Sequence, residues 1–297
     1  MNFETELEKK VNEAQEIIRS YLPDEDGPQH TVLSAMNYSV LAGGKRLRPI
    51  LMKETYLLFG GKSKVIEPFM AAMEFIHTSS LVHDDLPAID NDEYRRGKKT
   101  THAAYGEDMA LLAGDALLNY AYETAVKAFS SAQDETVGRI QKAFQILTEK
   151  AGIFGMLGGQ AVDVESEHKQ VDLDTVRFIH KKKTAALIEG SMMIGAALGG
   201  ADEKELTAVE QIAENVGIAF QIRDDILDVT STTQVLGKPV GSDERNEKAT
   251  YVSLRGLQAS EKDVEELSQK AVQLLDELGR EDAFLRELIL RLIDRRM

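Results

Sequence analysis

Hydrophobic residues recur along the chain at spacings of three and four, the period that places them on one face of an α-helix. Over residues 3–21 the apolar set is Leu7, Val11, Ala14, Ile17 and Ile18, which predicts an amphipathic opening helix ended by the PDEDG segment. A second helix is expected over 30–42, broken by Gly43 and Gly44. The pattern resumes over 50–58 and 65–83, where Ile66, Phe69, Met70, Met73 and Ile76 form one apolar stripe. Further helices are expected over 108–129, 135–150 and 208–229, after Thr184, and from residue 260 onward. No alternating segments bounded by turn residues stand out as strands. Proline is scarce, at 6 residues, and Ala, Leu, Glu and Lys dominate the long segments. The fold class expected is therefore all-α. No Gly, Ser or Pro-rich linker divides residues 1–297, so one domain is expected.

Charge narrows the partners. The chain carries 35 basic and 50 acidic side chains, a formal net charge of −15, so a nucleic acid would meet long-range repulsion. Cysteine is absent, which excludes disulfides, thiolate metal sites and cysteine nucleophiles. The amino terminus MNFETELEKK lacks the cationic segment and apolar core of a signal peptide. The apolar stretch 190–201 is too short to cross a bilayer. A soluble cytoplasmic protein without stable membrane insertion is expected.

Against this acidic background the stretch HTSSLVHDDLPAIDNDEYRRG, residues 77–97, stands out. Asp84, Asp85 and Asp90 are followed closely by Arg95 and Arg96. Carboxylates repel a phosphorylated ligand and arginines grip it. A hard divalent ion between carboxylate and phosphate reconciles the two, and Mg²⁺ suits that role because it is held by a few carboxylate oxygens, water and substrate phosphates. In an ideal helix Asp90 would point roughly 120° away from Asp84. Pro87 between them is expected to kink or end the helix and bring Asp90 back. A second acidic cluster, Asp224, Asp225 and Asp228, lies downstream in FQIRDDILDV. Helical spacing puts Asp224 and Asp228 on one face, with Gln221 one turn earlier on nearly the same side.

Other motifs are less specific. In GGKRLRP, paired glycines precede Lys45, Arg46 and Arg48, which suits an anion site or a solvated helix cap. Gly114–Asp115 and the GMLGGQAVDVE stretch, with Gln160 and Asp163, read first as places of close helix packing. HKKKT puts Lys183 and Thr184 between a basic run and an apolar segment, suited to a phosphate at one end and a hydrocarbon at the other. Lys181 and Lys182 read equally as a solvated basic turn. The loop LGKPVGSDERNEKATY forms a turn-rich flap in this reading, with Lys238 and Lys248 placed to close over a phosphate. Arg295 and Arg296 end the chain as a basic tail.

Taken in order, GGKRLRP, DDLPAID with RRG, GQAVD, HKKKT, FQIRDDILD and LGKPVGSD resemble the trans-prenyl diphosphate synthases of the farnesyl and geranylgeranyl type, from about residue 28 to the carboxyl terminus. The resemblance implies an isoprenoid-synthase-type helical bundle around a central cavity flanked by two aspartate-rich helices, built as a homodimer. It implies condensation of isopentenyl diphosphate with dimethylallyl or geranyl diphosphate, with farnesyl diphosphate as a further starter. Three Mg²⁺ ions, with Mn²⁺ as the alternative, would bridge the allylic diphosphate to Asp84, Asp85 and Asp90 on one wall and Asp224 on the other. Arg95, Lys183 and Lys238 would hold that diphosphate, and Lys45, Arg48, His77 and Arg96 would hold isopentenyl diphosphate. Thr184 and Gln221 would face the allylic cation beside Lys183, and released pyrophosphate would take the final proton.

The resemblance also places the cavity floor four and five residues before the first aspartate, at Ser80 and Ser79. Members that stop at fifteen carbons commonly carry an aromatic residue there. Two serines predict a deeper cavity, with Phe75 as the next bulky residue about 6 Å further down the helix. The enzyme is expected to be able to reach twenty carbons, with farnesyl diphosphate still open as the product because an aromatic block from a neighbouring helix would return it to fifteen. Three rival readings fit the residues less well. A metal-dependent phosphohydrolase would use His77 and the His83–Asp84 pair but leaves the second acidic cluster unexplained. A terpene cyclase usually mixes Asn or Asp, Ser or Thr, and Glu in its second metal motif, where this chain has DDILD. A non-catalytic subunit of a heteromeric synthase tends to lose one acidic motif, and this chain has both.

Overall fold

Helices supply nearly all the regular structure of the computed structural model, which describes residues 2–131, 134–230 and 249–294. The helices in chain order begin with α1 (Phe3–Ser20), α2 (His30–Val40), α3 (Leu47–Leu58) and α4 (Glu67–Asp84). They continue with α5 (Thr101–Tyr105), α6 (Glu107–Val126), α7 (Asp134–Ala151) and α8 (Met156–Glu165). Then come α9 (Leu173–Ile179), α10 (Ala186–Gly199) and α11 (Glu203–Thr230), followed by Tyr251–Arg255, Leu257–Glu277 and Ala283–Asp294. The all-α expectation holds. Among the described residues no helix is long and apolar enough to cross a membrane.

The chain forms two compact units, residues 1–53 with 62–144, and residues 54–61 with 145–297. In the first, α4 is the central element. It is buried on nearly every side, with Phe69, Met70, Met73, Phe75 and Ile76 wholly inside, and packs against α6, α1 and α2. Such all-round burial suits a helix whose sequence is apolar on most faces. Burying an apolar side chain of this size contributes roughly 1.5–3 kcal/mol, so packing holds the end of α4 in place. In the second unit, α10 and α11 pack on each other, and α11 also carries the helix Leu257–Glu277. Lys150 pairs there with the buried Glu189, and with Glu210 at 2.7 Å.

Two local features depart from the sequence reading. The polar segment after Asp90 includes a two-residue ladder, Tyr94–Arg95 (β1) against Lys98–Lys99 (β2). Arg96 and Gly97 turn it with φ of 53° and 76°, the left-handed pair that a type I′ hairpin turn requires. Secondly, the basic run is helical. Residues His180–Ala185 form a π-helical turn that joins α9 to α10 without a break.

Candidate active site

The end of α4 delivers the first acidic cluster. Asp84 is its last residue and Asp85 its cap, 9% and 4% exposed respectively. Pro87 then diverts the chain, and the Asp90 amide returns to the Asp84 carbonyl at 2.9 Å. The helix end expected at the proline is therefore present, and it folds Asp90 back beside Asp84. Arg95, on β1, grips Asp85 Oδ1 through Nε at 2.7 Å and a second guanidinium nitrogen at 2.6 Å. Burial pushes the Asp85 carboxyl above the usual carboxylate range, and the hydrogen bond and charge of Arg95 oppose that rise.

The same end of the unit concentrates cations. Arg96, at the hairpin tip, donates to the Gly43 carbonyl. Gly44 has φ of 137°, and a Cβ there would lie 2.7 Å from Arg96 Nη1, so a glycine is required where the two motifs meet. Arg48 Nη1 lies 3.4 Å from His77 Nε2 on α4. Burial lowers Arg48 to about 10, with Glu74 opposing and Arg96 adding to the shift. His77 falls well below its ordinary value through burial first and then the charges of Arg48, Arg96, Arg46 and Arg95. Its imidazole is therefore neutral near pH 7, amid cations that disfavour one another. Arg46 is different: it is 2% exposed, pairs with Glu74 at 2.5 Å and donates to the Val40 carbonyl at 2.6 Å. It holds the loop rather than facing a ligand, whereas Lys45 is exposed.

The second unit assembles its own set around the π turn, a helix irregularity frequent at functional sites. A Cβ on Gly159 of α8 would lie 2.2 Å from the Lys183 backbone nitrogen, so only glycine allows this approach. The close contact accounts for the Lys183–Asp163 ion pair at 2.6 Å. Asp163, read from sequence as a packing residue, is thus the partner of a candidate catalytic lysine. Lys181 pairs with Glu214 at 2.8 Å while its side chain stays partly exposed, in keeping with the solvated reading. Thr184 Oγ1 donates to Gln221 Oε1 at 2.8 Å, which brings together two residues singled out from different motifs. On α11, Asp224 is half-buried, while Asp225 and Asp228 are buried. Lys238 and Lys248, with the flap assigned to their loop, lie outside the described residues, as do Arg295 and Arg296.

The donor set for a metal ion consists of hard oxygens. Among the described residues no three His, Cys, Asp or Glu side chains converge into a ready-made cage. Asp228 Oδ1 is buried with no hydrogen-bond partner among the described residues, one helical turn from Asp224. Carboxylates that offer oxygens without closing a cage fit Mg²⁺, which is usually bound by one or two carboxylates and completed by substrate phosphate. His83 turns away from these acids: its Nε2 lies 3.3 Å from the Leu111 carbonyl and 3.6 Å from Asp115, both on α6. The His83–Asp84 pair that suggested a hydrolase site therefore does not act as a unit.

Arginines crowded against acids call for a ligand with several negative charges, and an all-α enzyme acting on diphosphates meets that need. The polyprenyl synthetase family model matches residues 29–282, and the chain belongs to that family. It is a short-chain trans-prenyltransferase. A geranylgeranyl diphosphate synthase from Cyanophora paradoxa is 45% identical over 81% of this chain and 79% of its own. Farnesyl diphosphate synthase from Geobacillus stearothermophilus is 39% identical over 95% of this chain and 97% of its own. The solved structure of a geranyltransferase from Helicobacter pylori, complexed with magnesium and isoprenyl diphosphate, matches with a TM-score of 0.83 at 29% identity, covering 99% of this chain and 97% of that one.

Proposed function

We propose that this prenyltransferase condenses isopentenyl diphosphate with dimethylallyl, geranyl and farnesyl diphosphates, and that its end product is geranylgeranyl diphosphate. The observation that carries the site assignment is the group Arg48, His77, Arg95 and Arg96 beside Asp84 and Asp85. An incoming diphosphate relieves the repulsion among the arginines, so the cost of holding them together is returned on binding. Arg95, Lys183 and Lys238 hold the allylic diphosphate. Lys45, Arg48, His77 and Arg96 hold isopentenyl diphosphate, with the neutral His77 ring adding no further repulsion. Asp84, Asp85, Asp90 and Asp224 hold Mg²⁺, three ions in the family pattern with Mn²⁺ as a substitute, and the bound metal neutralises charge on the departing pyrophosphate.

Ionisation of the allylic carbon–oxygen bond leaves a delocalised cation. Thr184 and Gln221 offer oxygen dipoles to it and are poor nucleophiles, so they stabilise without capture. The isopentenyl double bond attacks, and released pyrophosphate takes the proton. In this reading no separate histidine–carboxylate base is needed.

Chain length follows from α4. The Ser79 hydroxyl donates to the Ile76 carbonyl at 3.1 Å, and that of Ser80 to the His77 carbonyl at 2.9 Å. Both side chains are small and satisfied by their own helix, so an apolar tail passes them without stranding a hydroxyl. Phe75, one turn below, is fully buried with its ring centroid 5.8 Å from that of Tyr120 on α6. The neighbouring helix thus does supply an aromatic residue, but at the depth of Phe75, one turn below Ser79, which supports a floor at the twenty-carbon level and not at the fifteen-carbon one.

The working unit in this reading is a homodimer of one polyprenyl synthetase domain, residues 1–297, acting in the cytoplasm. Leu111 and Leu112, side by side and exposed on α6, suit a subunit contact. Sedimentation equilibrium tests the dimer. Incubation with Mg²⁺, labelled isopentenyl diphosphate and each starter, followed by product sizing, tests the activity. Twenty-carbon product with all three starters supports the reading. Fifteen carbons only removes the chain-length argument, and loss of turnover on chelation with recovery on adding Mg²⁺ supports the metal assignment.

A further inference from the structure

We propose that Asp225, the second carboxylate of DDILD, is a positioning residue that fixes the Gln221 amide and, through it, the Thr184 hydroxyl, instead of binding metal. The inference rests on the reading of Thr184 and Gln221 as groups that face the allylic cation. Both Asp225 oxygens are committed. Oδ2 accepts from the Tyr251 backbone N–H at 2.8 Å and lies 3.4 Å from His180 Nε2, while Oδ1 faces Gln221 Nε2 at 3.4 Å. His180 belongs to the π turn, and its ring stacks on that of Tyr251 with centroids 5.9 Å apart. Asp225 is thereby locked from two other elements, and it is only 5% exposed.

A carboxylate accepts hydrogen bonds and cannot donate them. The Gln221 group facing Asp225 must therefore be its NH₂, which leaves Oε1 towards Thr184, where it accepts the hydroxyl proton at 2.8 Å. The Thr184 hydrogen is used up in that bond, so its lone pairs are what it can offer elsewhere. The pair then presents oxygen, the negative end of each dipole, as stabilising a carbocation requires. A flipped Gln221 would put N–H next to Thr184 and reverse the local sign. Asp225 chooses between these two states.

A double-mutant cycle tests this. Asp225→Asn presents an NH₂ to Gln221 and should flip it, lowering kcat about 10-fold or more. KM for isopentenyl diphosphate and the Mg²⁺ half-saturation concentration should stay within about twofold of wild type. In a Gln221→Met background, Asp225→Asn should have no further effect, because the group it orients is gone. Multiplying losses, or a several-fold rise in the Mg²⁺ requirement, overturns the proposal. If Asp225→Asn does not fold, Gln221→Glu decides: its carboxylate has no hydrogen to donate to Asp225, so kcat should fall about 10-fold or more while the Mg²⁺ half-saturation concentration stays within about twofold of wild type. Wild-type kcat, or a several-fold change in the Mg²⁺ requirement, in folded Gln221→Glu overturns the proposal. Wild-type turnover in Gln221→Met alone removes the underlying reading of Gln221 together with the inference, whereas additive losses remove only the inference.

Discussion

The Lys183 backbone nitrogen lies 2.2 Å from the place a Cβ on residue 159 would occupy, and the Lys182 carbonyl carbon lies 2.6 Å from it. Both obstacles are backbone, which cannot swing aside as the end of a side chain can. Gly159→Ala should therefore push α8 away from the π turn, break the Lys183–Asp163 ion pair and displace Thr184. Misplacement of about 1 Å costs on the order of 100-fold in rate, which is the expected fall in kcat. Gly138 on α7 has open space around it, and Gly138→Ala should instead stabilise the protein by about 0.5–1 kcal/mol with unchanged turnover. Steady-state kinetics and urea denaturation of both variants check the contrast.

Arg46 and Glu74 form a buried ion pair in the first unit. Removing one partner leaves a buried charge alone, so Glu74→Leu should destabilise the enzyme by about 3–5 kcal/mol. Arg46→Met combined with Glu74→Leu should recover most of that loss, since an apolar pair of similar volume replaces the charges. Urea midpoints of the single and double variants measure it.

His77 has a pKa depressed well below the ordinary imidazole value of 6.5, with burial as the leading cause. Below pH 6.5 the unfolded chain takes up a proton at this residue that the folded chain refuses, so the sign is destabilising as pH falls. The stability tied to neutral His77 is complete above 6.5 and declines below it, by up to ~1.4 kcal/mol per pH unit until the folded value is reached. His77→Asn should flatten the stability profile of the ligand-free enzyme between pH 6.5 and pH 5. Denaturation at a series of pH values tests this, and a slope identical to wild type would refute it.

The position of Ser80 one turn before Asp84 gives a direct handle on product length. Ser80→Phe should block the passage and move the main product to fifteen carbons. Phe75→Ala with Tyr120→Ala should open the floor and lengthen the product beyond twenty. The double truncation should also cost several kcal/mol of stability, since Phe75 is fully buried, the partly exposed Tyr120 ring packs against it, and a buried Phe→Ala alone costs about 3–5 kcal/mol. Product sizing and thermal melts on the same preparations separate the two effects.

Much of this molecule was legible in its sequence, because helix formation and local charge patterns depend on residues near one another along the chain. The apolar stripe from Ile66 to Ile76 predicted the central helix α4, and Pro87 predicted the turn that returns Asp90 to Asp84. The order of the acidic and basic motifs pointed to the family that the comparisons support. Tertiary packing decided what those motifs do individually. Arg46 and Arg48 are near neighbours in GGKRLRP, yet one is consumed by Glu74 and the other lies beside His77. Asp163 became the partner of Lys183 only through the close approach at Gly159. Asp224 and Asp225 are adjacent and chemically identical, but it is Asp225 that helical rotation turns toward Gln221, the Tyr251 amide and His180. Side-chain roles of this kind depend on which distant groups come within hydrogen-bond reach, and residue spacing along one helix carries no record of them.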